Sequence, residues 1–463
     1  MPRPSRATAA WRLRTLLVLF AAGLVAGGCT TTVAGSAQTG DGVVVGAVDT
    51  SVVHGSDGSG VDELATAAML DIQSYWQDRF EPSFGAPWHD LAGGFYSVDS
   101  TDPHGPPPPC VQQTSQVEGN AYYCPSADSV AWDRAALLPV LREQDGDGGV
   151  VVVLAHEVGH AVHNRLGIRP AQQERQPDRF PTILTEAMAD CYAGSFVRWV
   201  VDGHAEHLRL TRAELDRALG ALVTFRDPLG AGADDATAHG NAFDRVSAFQ
   251  DGYRQGPRLC AGFTVTNRIF TQDRFLDARD AERGGNLPFG VLVDAITPDL
   301  DRYFGQLVTA RGGRWQAPQV RTAPGAVRCA ARQGPVGFCP GAEHAVEISP
   351  QLTALHSRLG DYSTATLLAS RYGLAALNAL GRPTEGAGAR RGALCLAGAY
   401  TGDLLRRRQG FGLSPGDLDE AVQVLLGYDY ASRDTAGKAL PSGFDRLSQF
   451  RAGTLDGAAA CSL

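Results

Sequence analysis

Lysine is almost absent from this chain. Among 463 residues the only one is Lys438, so arginine supplies nearly all of the 41 basic side chains. Acidic residues number 50 and the net charge is −9. Without a basic surplus there is no electrostatic footprint for a phosphate backbone, so nucleic acid is excluded as an expected partner. A membrane-length apolar run is missing near the N-terminus too: Leu16 to Val25 is too short to span a bilayer. Length is not short; it suffices for two or more domains with ample cores.

What stands at the N-terminus reads as a targeting signal. Arg3, Arg6, Arg12 and Arg14 precede the apolar run, and Ala26-Gly27-Gly28-Cys29 ends it with small residues and a cysteine. The pattern resembles a bacterial lipoprotein signal, with Cys29 as the lipidated first mature residue. Ala26 stands where leucine is more usual, which leaves ordinary cleavage nearby as the alternative. Either way the mature chain lies outside the cytoplasm, and a lipid on Cys29 would anchor it to the membrane. The other eight of the nine cysteines (Cys110, Cys124, Cys191, Cys260, Cys329, Cys339, Cys395, Cys461) can then form four disulfides. Residues 1–28 are read as signal peptide, and 29–60, rich in Thr, Ser, Gly and Asp, as a flexible tether containing VVVGAV as a possible short strand.

Residues 151–167, VVVLAHEVGHAVHNRLG, hold no proline, are apolar enough for a buried helix, and stop at Gly167. Inside them lies His156-Glu157-Val158-Gly159-His160. Positions i and i+4 share a helix face, so both imidazoles can reach one metal ion, and Glu157 stands beside that face as a proton acceptor for water at an open metal position. A core helix with two partly buried histidines is the plain alternative, but burying His, Glu and His without partners is costly. Residues 183–200, ILTEAMADCYAGSFVRWV, repeat the i, i+4 spacing with Glu186 and Asp190. Glu186 can complete a His-His-Glu zinc site, and Asp190 can accept the free N–H of a ligand histidine. Other helix patterns cover 61–80, 135–141, 211–223 and 242–253; Tyr122 and Trp132 fall on a hairpin (121–124 with 129–132), and Asp145 to Gly149 reads as a turn.

The C-terminal half resembles the N-terminal half. ASRYGLAALNALG (369–381) matches AHEVGHAVHNRLG (155–167) at six of thirteen positions, and 444–461 matches 243–260 at eight of eighteen. Phe338-Cys339-Pro340 mirrors Tyr123-Cys124-Pro125, and Cys395-Leu396-Ala397-Gly398 mirrors Cys191-Tyr192-Ala193-Gly194. Four matches in one order point to two copies of one domain, 61–275 and 276–463. The second has lost the chemistry: His156, Glu157 and His160 correspond to Ser370, Arg371 and Leu374, Asp190 to Leu394, and Glu186 falls near Arg390. Equivalent copies favour the pairs Cys110–Cys124 with Cys329–Cys339, and Cys191–Cys260 with Cys395–Cys461. The expected fold is α+β and mainly helical: two homologous zincin-like domains in tandem, each with a small hairpin or sheet and an HExxH-type helix, degenerate and metal-free in the second.

In order, YYCPSADSVAWD, VVLAHEVGHAVHNRLG, LTEAMADCYAG and AHGNAFDR look like the bacterial putative neutral zinc metallopeptidase family. The resemblance covers roughly residues 61–275, and the rest as a degenerate copy. It implies one zinc per chain on His156, His160 and Glu186, with Glu157 as general base. His163 stands where the family usually has Gln, and Asn241 where a small hydroxyl residue is usual. The expected activity is peptide-bond hydrolysis of a peptide or protein in the cell envelope by a membrane-anchored endopeptidase. His239 is the candidate oxyanion donor, with Tyr123 and Tyr192 behind it. The hairpin can pair with an extended substrate. The rival expectation is a zinc-containing or pseudoenzyme lipoprotein acting as a cell-envelope binding or assembly factor.

Overall fold

The apolar stripe that recurs every four residues from Leu64 to Phe80 becomes the inner face of α1 (Gly60–Phe84), with Leu64, Ala68, Ile72, Trp76 and Phe80 all buried. The computed structural model describes residues 43, 46–323, 325, 332–407 and 410–462. The expected signal segment, Cys29 and Cys329 lie outside the described residues. Among those described, no helix is long and apolar enough to cross a membrane.

Sheet one contains β1 (Val53–His54), β2 (Gly94–Val98), β3 (Ala121–Cys124) and β4 (Ser129–Asp133), in the order β1-β2-β4-β3. The β3–β4 hairpin is antiparallel, as its turn residues require, while β1 and β2 add parallel strands. Val53 pairs with Phe95, so the end of the stretch expected to be a tether, 29–60, is joined to the sheet through β1.

The chain then runs through α2 (Leu137–Arg165), α3 (Pro170–Arg175), α4 (Thr182–Val201), α5 (Arg212–Thr224), α6 (Ala242–Gln255), α7 (Pro257–Ala261) and α8 (Ala278–Glu282). The turn expected at Asp145–Gly149 is a kink inside α2 at Gly146, φ 72° and ψ −179°. Its glycines serve close approach instead: a Cβ on Gly148 would lie 3.0 Å from Ala218 Cβ on α5. α9 (Phe289–Ala310) leads to β5 (Gln319–Thr322), β6 (Val336–Cys339) and β7 (Ala345–Ile348). Five helices follow: α10 (Pro350–Leu359), α11 (Asp361–Ala379), α12 (Gly386–Arg406), α13 (Asp417–Gly427) and α14 (Gly443–Asp456).

The second sheet runs β5-β7-β6, with β5 parallel and β6 antiparallel to β7, which is the arrangement β2-β4-β3 again. Helix crossings recur too. A Cβ on Gly159 would meet Ala189 Cα at 2.8 Å, and one on Gly373 would meet Ala393 Cα at 3.1 Å. Gly194 and Gly398 face the carbonyls of Phe249 and Phe450 at 2.0 and 1.9 Å from the same imagined atom. Gly40–Leu463 forms one compact unit, and the halves cap each other. Asp419 on α13 accepts from Ala242 N at the start of α6 (2.7 Å), and Asp216 on α5 accepts from Gly443 N and Phe444 N at the start of α14 (2.5 and 2.8 Å). Cys110–Cys124, Cys191–Cys260 and Cys395–Cys461 are bonded.

Asp361, Asp417 and Glu420 are buried with carboxylate oxygens within 4.8 Å of one another. No basic side chain forms an ion pair with them among the described residues. Burial, with the charge of Asp280, pushes Asp361 up to about 6 against Arg283; burial and Asp361 push Glu420 up to about 8; and burial, Asp361 and Glu420 raise Asp417 well above the usual range. The folded state therefore holds protons that the unfolded chain releases. Stability from this cluster is greatest below about pH 4, the ordinary carboxylate range, and is lost as pH rises through the folded values. Urea midpoints measured in chelator are expected to fall between pH 5 and pH 8, and Glu420→Gln should flatten that slope.

Candidate metal centre

Two crossing helices build the centre. α2 carries His156, Glu157 and His160 on one face, and α4 brings Glu186 and Asp190 against it. Gly159 is why they can meet, because any side chain there would hold α4 away. His156 Nε2 lies 3.0 Å from Glu186 Oε2 and 3.2 Å from His160 Nε2, and His160 Nε2 lies 3.6 Å from Glu186 Oε2. Ligands about 2.0–2.1 Å from a tetrahedral zinc are about 3.3 Å apart, so this triangle fits one ion. The Glu157 carboxylate lies within 4.8 Å of both histidine nitrogens.

The outer nitrogens explain why the inner ones face inward. His156 Nδ1–H donates to Asp190 Oδ1 at 2.7 Å, and Arg245 grips both Asp190 oxygens at 2.9 Å. Asp190 is fully buried; burial alone would raise it, but Arg245 and His156 hold it below the usual carboxylate range. His160 Nδ1 lies 3.0 Å from His163 Nε2. The two inner nitrogens and the Glu186 carboxylate thus converge as acceptors, a donor set that calls for a positive charge. Protonation shows the same demand: burial opposes a charged His156, yet Asp190 and Glu186 push it up to about 10. Burial would raise Glu186 as well, but the two histidines hold it well below its usual range. His163 is pushed down to about 3 by burial.

The centre opens into a cavity of about 610 Å³ whose lining includes Tyr122, Val153, Gln173, Phe225 and His239. Glu157 faces it, partly exposed, and burial raises its carboxyl. Its Oε2 accepts from Tyr123 N on the edge strand β3 at 3.0 Å. His239 reaches the same cavity, half-exposed, with Nδ1 3.3 Å from Asp227 Oδ1, a bond that raises the imidazole. The other tyrosine candidates are placed differently. Tyr192 is buried against Trp76 with ring centroids 5.6 Å apart, outside the cavity lining, because α4 turns that face to the core. Tyr123 lines the cavity, but its hydroxyl donates to Asp128 at 2.8 Å. Asn241 caps α6 by accepting from Asp244 N.

With this geometry in view, sequence comparison is decisive. A sequence model of the putative neutral zinc metallopeptidase family matches residues 14–263, more than half of the chain. The chain belongs to that family. An uncharacterized protein of Mycobacterium tuberculosis is 31% identical over 176 residues, covering 34% of this chain and 59% of the relative. The uncharacterized protein YpfJ of Escherichia coli K12 is 30% identical over 160 residues, covering 31% of this chain and 53% of the relative. The chain thus spans just over half the length of these curated relatives. No solved structure matches it. The family description suits the donor set, since two imidazoles and a carboxylate are zinc ligands.

Two participants were not visible from spacing. Asp227, behind His239, lies in an unpatterned loop. Arg245, behind Asp190, does carry a signal, because Phe-Asp-Arg recurs at 444–446. Arg245 bonds the Phe225 carbonyl and Arg446 those of Leu425 and Leu426, so the arginine supports the neighbouring helix end in both halves and, among the described residues, pairs with a carboxylate only in the first.

Proposed function

We propose that the chain is a zinc-dependent endopeptidase, with one zinc held by His156, His160 and Glu186. The observation that carries this reading is the convergence of those three acceptor atoms beside Glu157 at the floor of an open cleft. Bound zinc supplies Lewis acidity at the scissile carbonyl. Glu157 takes a proton from the attacking water and later delivers it to the leaving amine. Tyr123 N, at the free edge of β3, orients the Glu157 carboxylate, and the same edge offers backbone groups to an extended substrate. His239, held by Asp227, donates to the developing oxyanion.

The second half is a metal-free copy of the first. The recurring strand order, glycine crossings and reciprocal caps support that reading, as do Ser370, Arg371 and Leu374 in place of the ligands and base. With Cys29 lipidated, the enzyme works on the outer face of the membrane on peptide or protein substrates of the envelope.

Elemental analysis of protein lacking its first 28 residues tests the metal reading. About one zinc per chain is expected from a single three-ligand site; near zero after reconstitution overturns the reading, and two overturns the account of the second half. His239→Ala is expected to lower kcat by about 10²–10³-fold on a peptide substrate. Because Asp227 raises His239, Asp227→Asn should move the alkaline limb of the pH–rate profile to lower pH. An unmoved limb would remove His239 as the donor.

A further inference from the structure

We infer that His163 is a positioning residue for His160, clasping it to the loop that follows α2. The inference rests on the zinc reading for its purpose, and on the hydrogen-bond geometry for its content. Spacing places His163 on the ligand face, where an ordinary packing histidine would also fit. A packing role does not account for its two ring bonds.

The clasp begins in the backbone. Gly167, at φ +91°, ends α2 in the left-handed region, and the turn closes through Leu166 N to Val162 O and Gly167 N to Asn164 O, both 3.0 Å, and Ile168 N to His163 O at 2.9 Å. This brings the Ile168 carbonyl back over the His163 ring, where it lies 3.0 Å from Nδ1. A carbonyl oxygen only accepts, so the hydrogen is on Nδ1 and donates to it. His163 Nε2 is then left as an acceptor, 3.0 Å from His160 Nδ1. The two rings lie nearly perpendicular, 89° apart, with centroids 5.2 Å apart. His160 thus carries its hydrogen on Nδ1, and its Nε2 lone pair faces His156 and Glu186.

Among the described residues no other hydrogen bond to His160 Nδ1 selects that tautomer, and the other one points a hydrogen into the ligand triangle. His156 has the same support from Asp190, but from a carboxylate. His163 orients its ligand without adding a second buried negative charge behind the site. It also ties the ligand to the cleft wall, because Ile168 is bonded twice to His163 and Pro170, two residues further on, lines the cavity.

The test is zinc affinity of the full chain by chelator competition, with the metal-free melting temperature measured alongside. His163→Leu is expected to weaken zinc about 10–100-fold. His163→Gln should stay close to wild type, because its amide can donate to Ile168 O and accept from His160. Equal affinity in wild type and His163→Leu, with wild type binding zinc, overturns the clasp and leaves the zinc reading standing. A wild-type chain that binds no zinc overturns the zinc reading instead. The clasp is then judged on the metal-free chain by nitrogen NMR of labelled histidine, which also serves if His163→Leu fails to fold. A hydrogen on His160 Nδ1 supports it, and one on Nε2 overturns it.

Discussion

Glu157→Gln is expected to abolish most peptide hydrolysis while leaving zinc in place. The substitution keeps size and shape, and the amide oxygen can still accept from Tyr123 N, which lies 3.0 Å from the carboxylate in the native chain. No proposed ligand is touched. What disappears is the capacity to take a proton from water and return it to the leaving amine. General acid–base catalysis contributes about 10²–10⁴-fold, so kcat should fall by that factor with KM little changed. A peptide-library assay on native and variant chains, with zinc measured on both, checks it. Equal turnover by the two would place the cleavage elsewhere. Zinc in both with turnover in neither would favour the binding or assembly factor over the enzyme.

Arg371→Leu is expected to cost about 3–5 kcal/mol of stability, because several buried acceptors lose their donor at about 1–3 kcal/mol each. Arg371, which the proposed duplication aligns with Glu157, is fully buried. It donates to Gln333 Oε1 and the Arg433 carbonyl at 2.8 Å, to the Tyr430 and Ala431 carbonyls at 2.7 and 3.1 Å, and to Ser370 Oγ at 3.2 Å. Gln333 Oε1 also accepts from Phe338 N at 3.0 Å, as Glu157 accepts from Tyr123 N in the first half. On the proposed duplication, an amide and a guanidinium fill the place of the proposed base and ligands. Leucine would leave several buried acceptors without donors. Urea unfolding should show the loss, with zinc content unchanged because no proposed ligand is near. An unchanged midpoint would mean that this network contributes little to holding the second half together.

Both experiments depend on residues whose visibility in the sequence differed sharply. His156, Glu157 and His160 were legible because helix periodicity is local: spacing alone puts them on one face. Glu186 and Asp190 were legible for the same reason. The Asp145–Gly149 run misled, because glycines that admit a neighbouring helix look in sequence like glycines that make a turn. Tyr192 misled because periodicity gives a face but not what the face is turned toward.

By itself the sequence determined the helix that carries His156, Glu157 and His160, the second helix with its two carboxylates, the hairpin, and the order in which similar segments return. These follow from side-chain period, turn chemistry and residue type, which act over a few positions. Only the tertiary structure decided that Arg245 stands behind Asp190, Asp227 behind His239, the Ile168 carbonyl behind His163, and that Asp216 and Asp419 cap helices of opposite halves. The Ile168 contact closes the end of α2 and the Asp227 contact closes within one stretch of loop, the others join residues from separate elements, and each satisfies a buried or half-buried polar group. Such partners are chosen by which elements the packed core brings together, and no local pattern records that choice.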